Sequence, residues 1–391
     1  MFLSLFIIMF LGVLGGILFE KLKLPKLIWY LILGILIGPS VLSIIDTNLL
    51  NISSYLRQIA LVIILTRSGL SLDINVLKKI GRPAFLMCFV PATCEIIGTT
   101  IFAPILLNIS HIEALLLGSV LGAVSPAVVV PRMIKLQQEG YGENHHVSEL
   151  IMAGASCDDI YVIVLFYAFK NLVSTNNFNS LSLLNIPLSI ILGIILGIGL
   201  GFILSKFIKK FSSSTQVIFL LAISFGLLFL EDILKLYISI SSLLSIITMS
   251  ITFKKLDKET SSSIQIKYNN LWSFFEIILF TLVGACVDIH YAFSTNGLFM
   301  ILLILIALIF RSIGVLICLI CTNYNFKEKT FIIISYLPKA TVQASIGAIC
   351  LNEGLECGTI VLLGAVISIL LSAPIGAILM DTSYKKLLNK N

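Results

Sequence analysis

Charge is what this sequence has least of. Only 12% of its 391 residues are Asp, Glu, Lys or Arg, against 58% hydrophobic ones, and the mean hydropathy is +1.07. A soluble domain carries about 25% charged residues, so an ordinary water-facing surface is excluded. Length alone would fit two or three soluble domains. This composition fits instead a dozen or so membrane spans of roughly 20 residues each. The net charge of +6 gives no sign of nucleic-acid binding, because the basic residues sit in short connections between apolar runs. A structural metal site is missing too. Cys318 and Cys321 lie a helical turn apart, but no His or second pair joins them, and the eight cysteines read as small packing residues. Met1–Phe19 has no basic n-region and runs straight into further apolar segments, so it reads as a first span and not a cleaved signal peptide.

Breaking the chain at charged and turn-rich stretches predicts thirteen spans, at about 1–19, 25–45, 56–72, 84–107, 112–131, 148–172, 181–208, 215–231, 235–253, 271–290, 297–322, 330–351 and 359–380. Spans 8 and 9 are expected to be joined by a very short link at Glu231-Asp232. Alternate connections carry the basic residues: Lys21, Lys23 and Lys26; Lys78, Lys79 and Arg82; Arg132 and Lys135; Lys206, Lys209 and Lys210; Lys254, Lys255, Lys258 and Lys267; Lys327 and Lys329; and the tail with Lys385, Lys386 and Lys390. The intervening connections hold only Lys170 and Lys235, with Arg57 at the margin of span 3. The positive-inside rule then puts the N-terminus outside and the C-terminus in the cytoplasm.

Against this background a few charges stand inside spans: Arg67, Glu95, Asp158, Asp159, Glu276, Arg311 and Lys339. Each is a functional candidate by default, with a partner to be found. Asp158 and Asp159 are the most informative. An ionised carboxylate near the bilayer centre costs about 2.5 kcal/mol or more, and two adjacent ones repel each other. Packing gives no reason for such a pair, whereas holding a cation and releasing protons does. On a helix neighbouring residues point about 100° apart, which suits a division of roles between the two. Arg67 is expected to be structural, pairing near the end of span 3 with Asp73. Glu276 reads as either a proton relay or a packing contact. His145 and His146 are expected to be solvated in a polar loop, with pH sensing as the alternative.

Span 5 contains Leu121-Gly-Ala-Val-Ser-Pro-Ala-Val-Val-Val-Pro131, and its two prolines, Pro126 and Pro131, are expected to open the helix near Ser125 to Val130. Span 12 contains Ser335-Tyr-Leu-Pro-Lys-Ala-Thr-Val-Gln-Ala-Ser-Ile-Gly347, with Pro338 and a polar series unsuited to facing lipid. Irregular backbone at membrane depth is tolerated only where protein buries it or a water-filled cavity meets it. Spans 1–6 and 8–13 form two halves, span 7 connecting them. In each half the fifth span is broken and the fourth carries one charge, Glu95 or Arg311. The odd connecting span would invert one half relative to the other, and paired discontinuous helices in inverted repeats mark secondary transporters. The fold class expected is therefore an all-α integral membrane protein with two inverted six-helix repeats and crossed discontinuous helices.

The segment 121–131, the following Gly140-Tyr-Gly142, the pair Asp158-Asp159 and Leu337-Pro-Lys-Ala-Thr-Val-Gln-Ala344 resemble the sodium/proton antiporters of the NHA type, in the double-aspartate branch of the cation:proton antiporters. Ile59–Leu70 and Phe326-Lys-Glu-Lys329 fit as well, so the likeness covers most of the chain. The resemblance implies a homodimer in a plasma (inner) membrane, working by elevator-like movement and serving pH homeostasis. Its dimerisation domain would comprise residues 1–83 and 211–296, its transporting core residues 84–180 and 297–391, with 181–210 as the connecting helix. It implies that Asp159 binds the cation directly with Asp158 beside it. Ser125, the carbonyls freed by Pro126 and Pro131, water and Thr341 would complete an oxygen cage. Lys339 would offset negative charge where the broken helices cross. Many electrogenic relatives carry a lysine where this chain has Arg311, and arginine does not deprotonate in proteins. Arg311 would pair with Glu95, the favoured partner, or with Asp158.

The expected activity is exchange of Na+ or Li+ for protons, the two competing for the same carboxylates so that binding of one expels the other. No cofactor beyond the transported ions is expected, and the partners expected are membrane lipid and a second copy of the chain. Potassium/proton exchange is an alternative. A sodium-coupled solute symporter is another, but no cluster of polar or aromatic residues lines an organic-substrate cavity. An intramembrane aspartyl protease needs its two aspartates on different helices, and an ion channel needs a filter-like repeat; neither pattern is present, so no enzyme is expected.

Overall fold

In lipid a backbone must satisfy its own hydrogen bonds, and a long apolar run does so by coiling into a helix. The computed structural model describes residues 1–72, 78–175, 180–234 and 240–390, and their regular structure is helical apart from a single β-bridge between Tyr141 and Lys390. In chain order the helices are α1 (Phe2–Lys21), α2 (Lys26–Ile37), α3 (Thr47–Asn51), α4 (Ser53–Ser71), α5 (Arg82–Met87), α6 (Val90–Leu107), α7 (His111–Leu121), α8 (Pro126–Gln138), α9 (Val147–Thr175), α10 (Ser180–Phe207), α11 (Ser213–Leu234), α12 (Ser242–Leu256), α13 (Lys258–Ala285), α14 (Ile289–Ala292), α15 (Thr295–Cys318), α16 (Phe326–Ser335), α17 (Thr341–Ile346), α18 (Ile349–Asn352) and α19 (Gly358–Leu387). Each of the thirteen expected spans overlaps a helix. Eight helical stretches of the described residues are long and apolar enough to cross a membrane.

Several boundaries differ from expectation, with α2 ending at Ile37 and α13 beginning as early as Lys258. The fourth span is interrupted at Cys88-Phe89, just ahead of Pro91, which gives α5 and α6. The fifth opens over residues 122–125, N-terminal to Pro126, while Pro131 lies inside the continuous helix α8. The link expected at Glu231-Asp232 is instead helical, and α11 runs on to Leu234. Glu231 has another use: its carboxylate accepts from the backbone N–H (3.0 Å) and the hydroxyl of Ser242, capping the start of α12. Lys235 lies outside the described residues.

The chain divides into two compact units. One comprises residues 1–54, 73–173 and 277–391, the other residues 55–72 and 174–276. In the first, α6 lies along α15, and α7, α16 and α17 pack against α19. The α6–α15 approach depends on two glycines. A Cβ at Gly98 would stand 2.6 Å from the Phe310 ring, and one at Gly314 would stand 2.7 Å from the Pro91 backbone. Gly98 follows Glu95 by three residues and Gly314 follows Arg311 by three, so the bare faces bring these two charges together. Similarly, a Cβ on Gly34 of α2 would overlap the Thr281 carbonyl at 1.9 Å.

In the second unit α10 packs closely on α12, where a Cβ at Gly193 or Gly201 would meet backbone oxygens at 2.7 Å. Arg67 is tied down within this unit. Its Nε donates to Asn269 Oδ1 at 2.7 Å and its guanidinium lies 6.0 Å from the Trp272 ring centre. Asp73, its expected partner, lies outside the described residues.

Candidate functional site

The two broken helices begin alike. Ser110 and Glu113 form a capping box at the start of α7, and Asn325 and Glu328 form another at the start of α16. The breaks themselves follow from proline chemistry. Pro126 has no N–H to give the carbonyl of Gly122, four residues earlier. That carbonyl is taken instead by Arg311 Nη1. Two further carbonyls at the break are served in the same way, Leu121 by Lys339 Nζ and Ala123 by Gln343 Nε2 at 2.9 Å. Cationic and amide donors thus meet the negative end of a helix dipole. The breaks join directly: Ser125 N–H donates to Pro338 O at 2.8 Å, and Arg311 Nε to Tyr336 O at 2.6 Å. Lys339 N–H donates to Ser372 Oγ of α19 at 3.0 Å.

Around this crossing Glu95, Asp158, Arg311 and Lys339 form one buried network. Arg311 Nη1 lies 2.8 Å from Glu95 Oε2, and Nη2 lies 2.7 Å from Asp158 Oδ2. Lys339 Nζ lies 2.6 Å from Glu95 Oε1. Arg311 therefore reaches both partners considered for it. Asp158 Oδ2 also accepts the Val124 N–H at 2.9 Å. All four side chains are at most 1% exposed. Two acids and two bases balance, and a removed partner would leave its mate charged in an apolar interior.

Asp159, 5% exposed, stands apart from that network. Among the described residues no ion pair or side-chain hydrogen bond reaches it, and its Oδ1 is buried without a donor. The same holds for Asp158 Oδ1, Ser125 Oγ and Thr341 Oγ1. Ser125 precedes α8 and Thr341 opens α17, so both sit at the N-terminal ends of the second half-helices. Pro126 and Pro338 border the two breaks. Pro131, five residues into α8, does not.

Three contributors were not singled out from the sequence. Gln343 was visible only as one member of a polar series, and Gly122 and Tyr336 act through backbone oxygens, which sequence does not mark. His145 is not simply solvated: its Nδ1 lies 2.9 Å from Oε1 of the buried Glu328. In the Gly140-Tyr-Gly142 link both glycines have positive φ, 76° and 72°, which the turn from α8 into α9 requires.

Carboxylates buried at the crossing of two interrupted membrane helices define a secondary ion transporter. The model of the family described as "Sodium/hydrogen exchanger, transmembrane" matches residues 6–381, so the chain belongs to that family and is an integral membrane cation/proton antiporter, not an enzyme. Sodium/hydrogen exchanger 9B1 of Mus musculus is 35% identical over 99% of this chain and 71% of its own length. Sodium/hydrogen exchanger 9B2 of Homo sapiens is 32% identical over 99% of this chain and 75% of its own. The fold is shared with the sodium proton antiporter MjNhaP1 from Methanocaldococcus jannaschii, with a TM-score of 0.83 at 22% identity, covering 97% of this chain and 96% of that one.

Proposed function

We propose that the protein exchanges Na+ or Li+ for protons at Asp159, one for one, by elevator-type alternating access. The observation that carries this reading is the isolation of Asp159. Of the three carboxylates at the crossing, Glu95 and Asp158 have cationic partners, and Asp159 has none among the described residues. A buried carboxylate without a partner is costly, and either a proton or a cation relieves it. The unpartnered oxygens of Asp158, Ser125 and Thr341 add hard donors suited to small alkali cations. Because the other four charges cancel, the site carries no net charge with one proton or one monovalent cation bound. Loaded forms then cross and the empty, charged form does not.

Every residue of the network comes from 84–180 or 297–391, which supports movement of those segments as one transporting core. The resemblance to NHA-type antiporters extends the reading to a homodimer through residues 1–83 and 211–296. The alternation of basic connections supports an outside N-terminus and a cytoplasmic C-terminus, in a plasma (inner) membrane. In everted vesicles that have been acidified by respiration, Na+ and Li+ are each expected to release protons. Release by K+ alone would establish potassium exchange, and dependence of Na+ movement on an organic solute would establish symport.

A further inference from the structure

Gln343 is wholly buried in α17, and its amide reaches across to the other broken helix. The atom facing the Ala123 carbonyl must be the NH2 group, since two oxygens would repel. That bond, 2.9 Å long, fixes the amide plane and leaves Oε1 without a hydrogen-bond partner among the described residues. The peptide group Gln343 grips is the one that holds Asp158. The Ala123 carbonyl and the Val124 N–H belong to a single planar unit and point in opposite directions. Gln343 holds its oxygen edge, and Asp158 Oδ2 accepts from its N–H edge at 2.9 Å. One residue on, the Ser125 N–H is held by the Pro338 carbonyl at 2.8 Å. The first break is therefore clamped on both sides by the second.

We infer that Gln343 is a positioning residue for cation binding. Through the Ala123–Val124 peptide it sets the orientation of the Asp158 carboxylate, so that Oδ2 is engaged and Oδ1 stays without a hydrogen-bond partner among the described residues. The chain of donors runs from α17 through the first break to α9, and polarisation along it strengthens each bond. Lys339 and Arg311 hold the neighbouring carbonyls electrostatically. Gln343 is the neutral member, so its removal alters geometry without altering the charge of the site.

This inference rests on the antiport reading, and the experiment separates the two. Purified wild type, Gln343→Met and Gln343→Asn are compared for Na+-driven proton exchange in proteoliposomes and for Na+-dependent thermal stabilisation in detergent. Methionine keeps the length without the donor, and asparagine keeps the donor one methylene short. Both variants are expected to raise the half-saturating Na+ concentration about tenfold in both measurements, with maximal rates within about twofold of wild type. Wild-type half-saturation in both variants, or a fall in folded protein and maximal rate alone, would reduce Gln343 to a packing residue. If methionine prevents folding, asparagine decides by the same readouts. A wild-type protein with no exchange overturns the inference together with the reading beneath it.

Discussion

Arg311 does the work that Pro126 leaves undone. Proline at 126 frees the Gly122 carbonyl inside an apolar interior, and one guanidinium meets that oxygen, the Tyr336 carbonyl, Glu95 and Asp158. Only the five-donor fork of arginine can serve four acceptors from a fixed plane. Arg311→Ala should therefore destabilise the detergent-purified protein by about 3–5 kcal/mol, as loss of one partner from a buried pair does. Arg311→Lys keeps the charge but loses the fork, and should recover less than half of that loss. A lysine variant melting like wild type would contradict this role. Glu95→Ala should also destabilise, and because Glu95 and Arg311 share the network, the double variant should lose less than the sum of the single losses. These residues could be picked from the sequence by rarity alone, since a charge within an apolar span needs a reason. Their pairing could not be read there. The partners of Arg311 lie 216 and 153 residues away, and only the fold brings them within reach.

The broken helices are held open by their neighbours as well as by their prolines. Gly376 of α19 faces the second break, where a Cβ would stand 2.5 Å from the Pro338 ring. A ring locked into the backbone yields little, and the Pro338 carbonyl anchors Ser125. Gly376→Val should cost about 1–3 kcal/mol by overpacking and should slow exchange at saturating Na+. Thermal melting and the maximal rate check both, and unchanged values would show that the break tolerates displacement. Prolines told where helices would break but not how far. Pro126 at the first helical position begins a helix rather than interrupting one, so the opening falls before it, and Pro131 is absorbed within α8. The Ser110–Glu113 capping box, Ser-x-x-Glu ahead of an apolar run, went unread in the sequence although its pattern is local. The Glu231-Asp232 boundary misled because an acid pair resembles a link, whereas Glu231 reaches forward to cap α12 from within α11.

Across the whole molecule, hydropathy carried most of the fold, because a lipid interior forces apolar runs into helices. The family match over residues 6–381 and the fold shared with MjNhaP1 agree with that reading. What the sequence left open was the charge ledger of the site, since it depends on which acids are paired. In the folded chain Glu95 and Asp158 are neutralised by Arg311 and Lys339, while no ion pair reaches Asp159 among the described residues, which is the ground for proposing it as the group that alternates between a proton and a cation. The most direct test is Na+-driven proton movement in proteoliposomes of wild type and Asp159→Asn, each with the membrane potential clamped and unclamped. Expected is wild-type exchange at the same rate under both conditions, and none above background in Asp159→Asn. Exchange surviving in Asp159→Asn would contradict the central role of Asp159, and a wild-type rate that changes with the clamp would contradict one-for-one exchange.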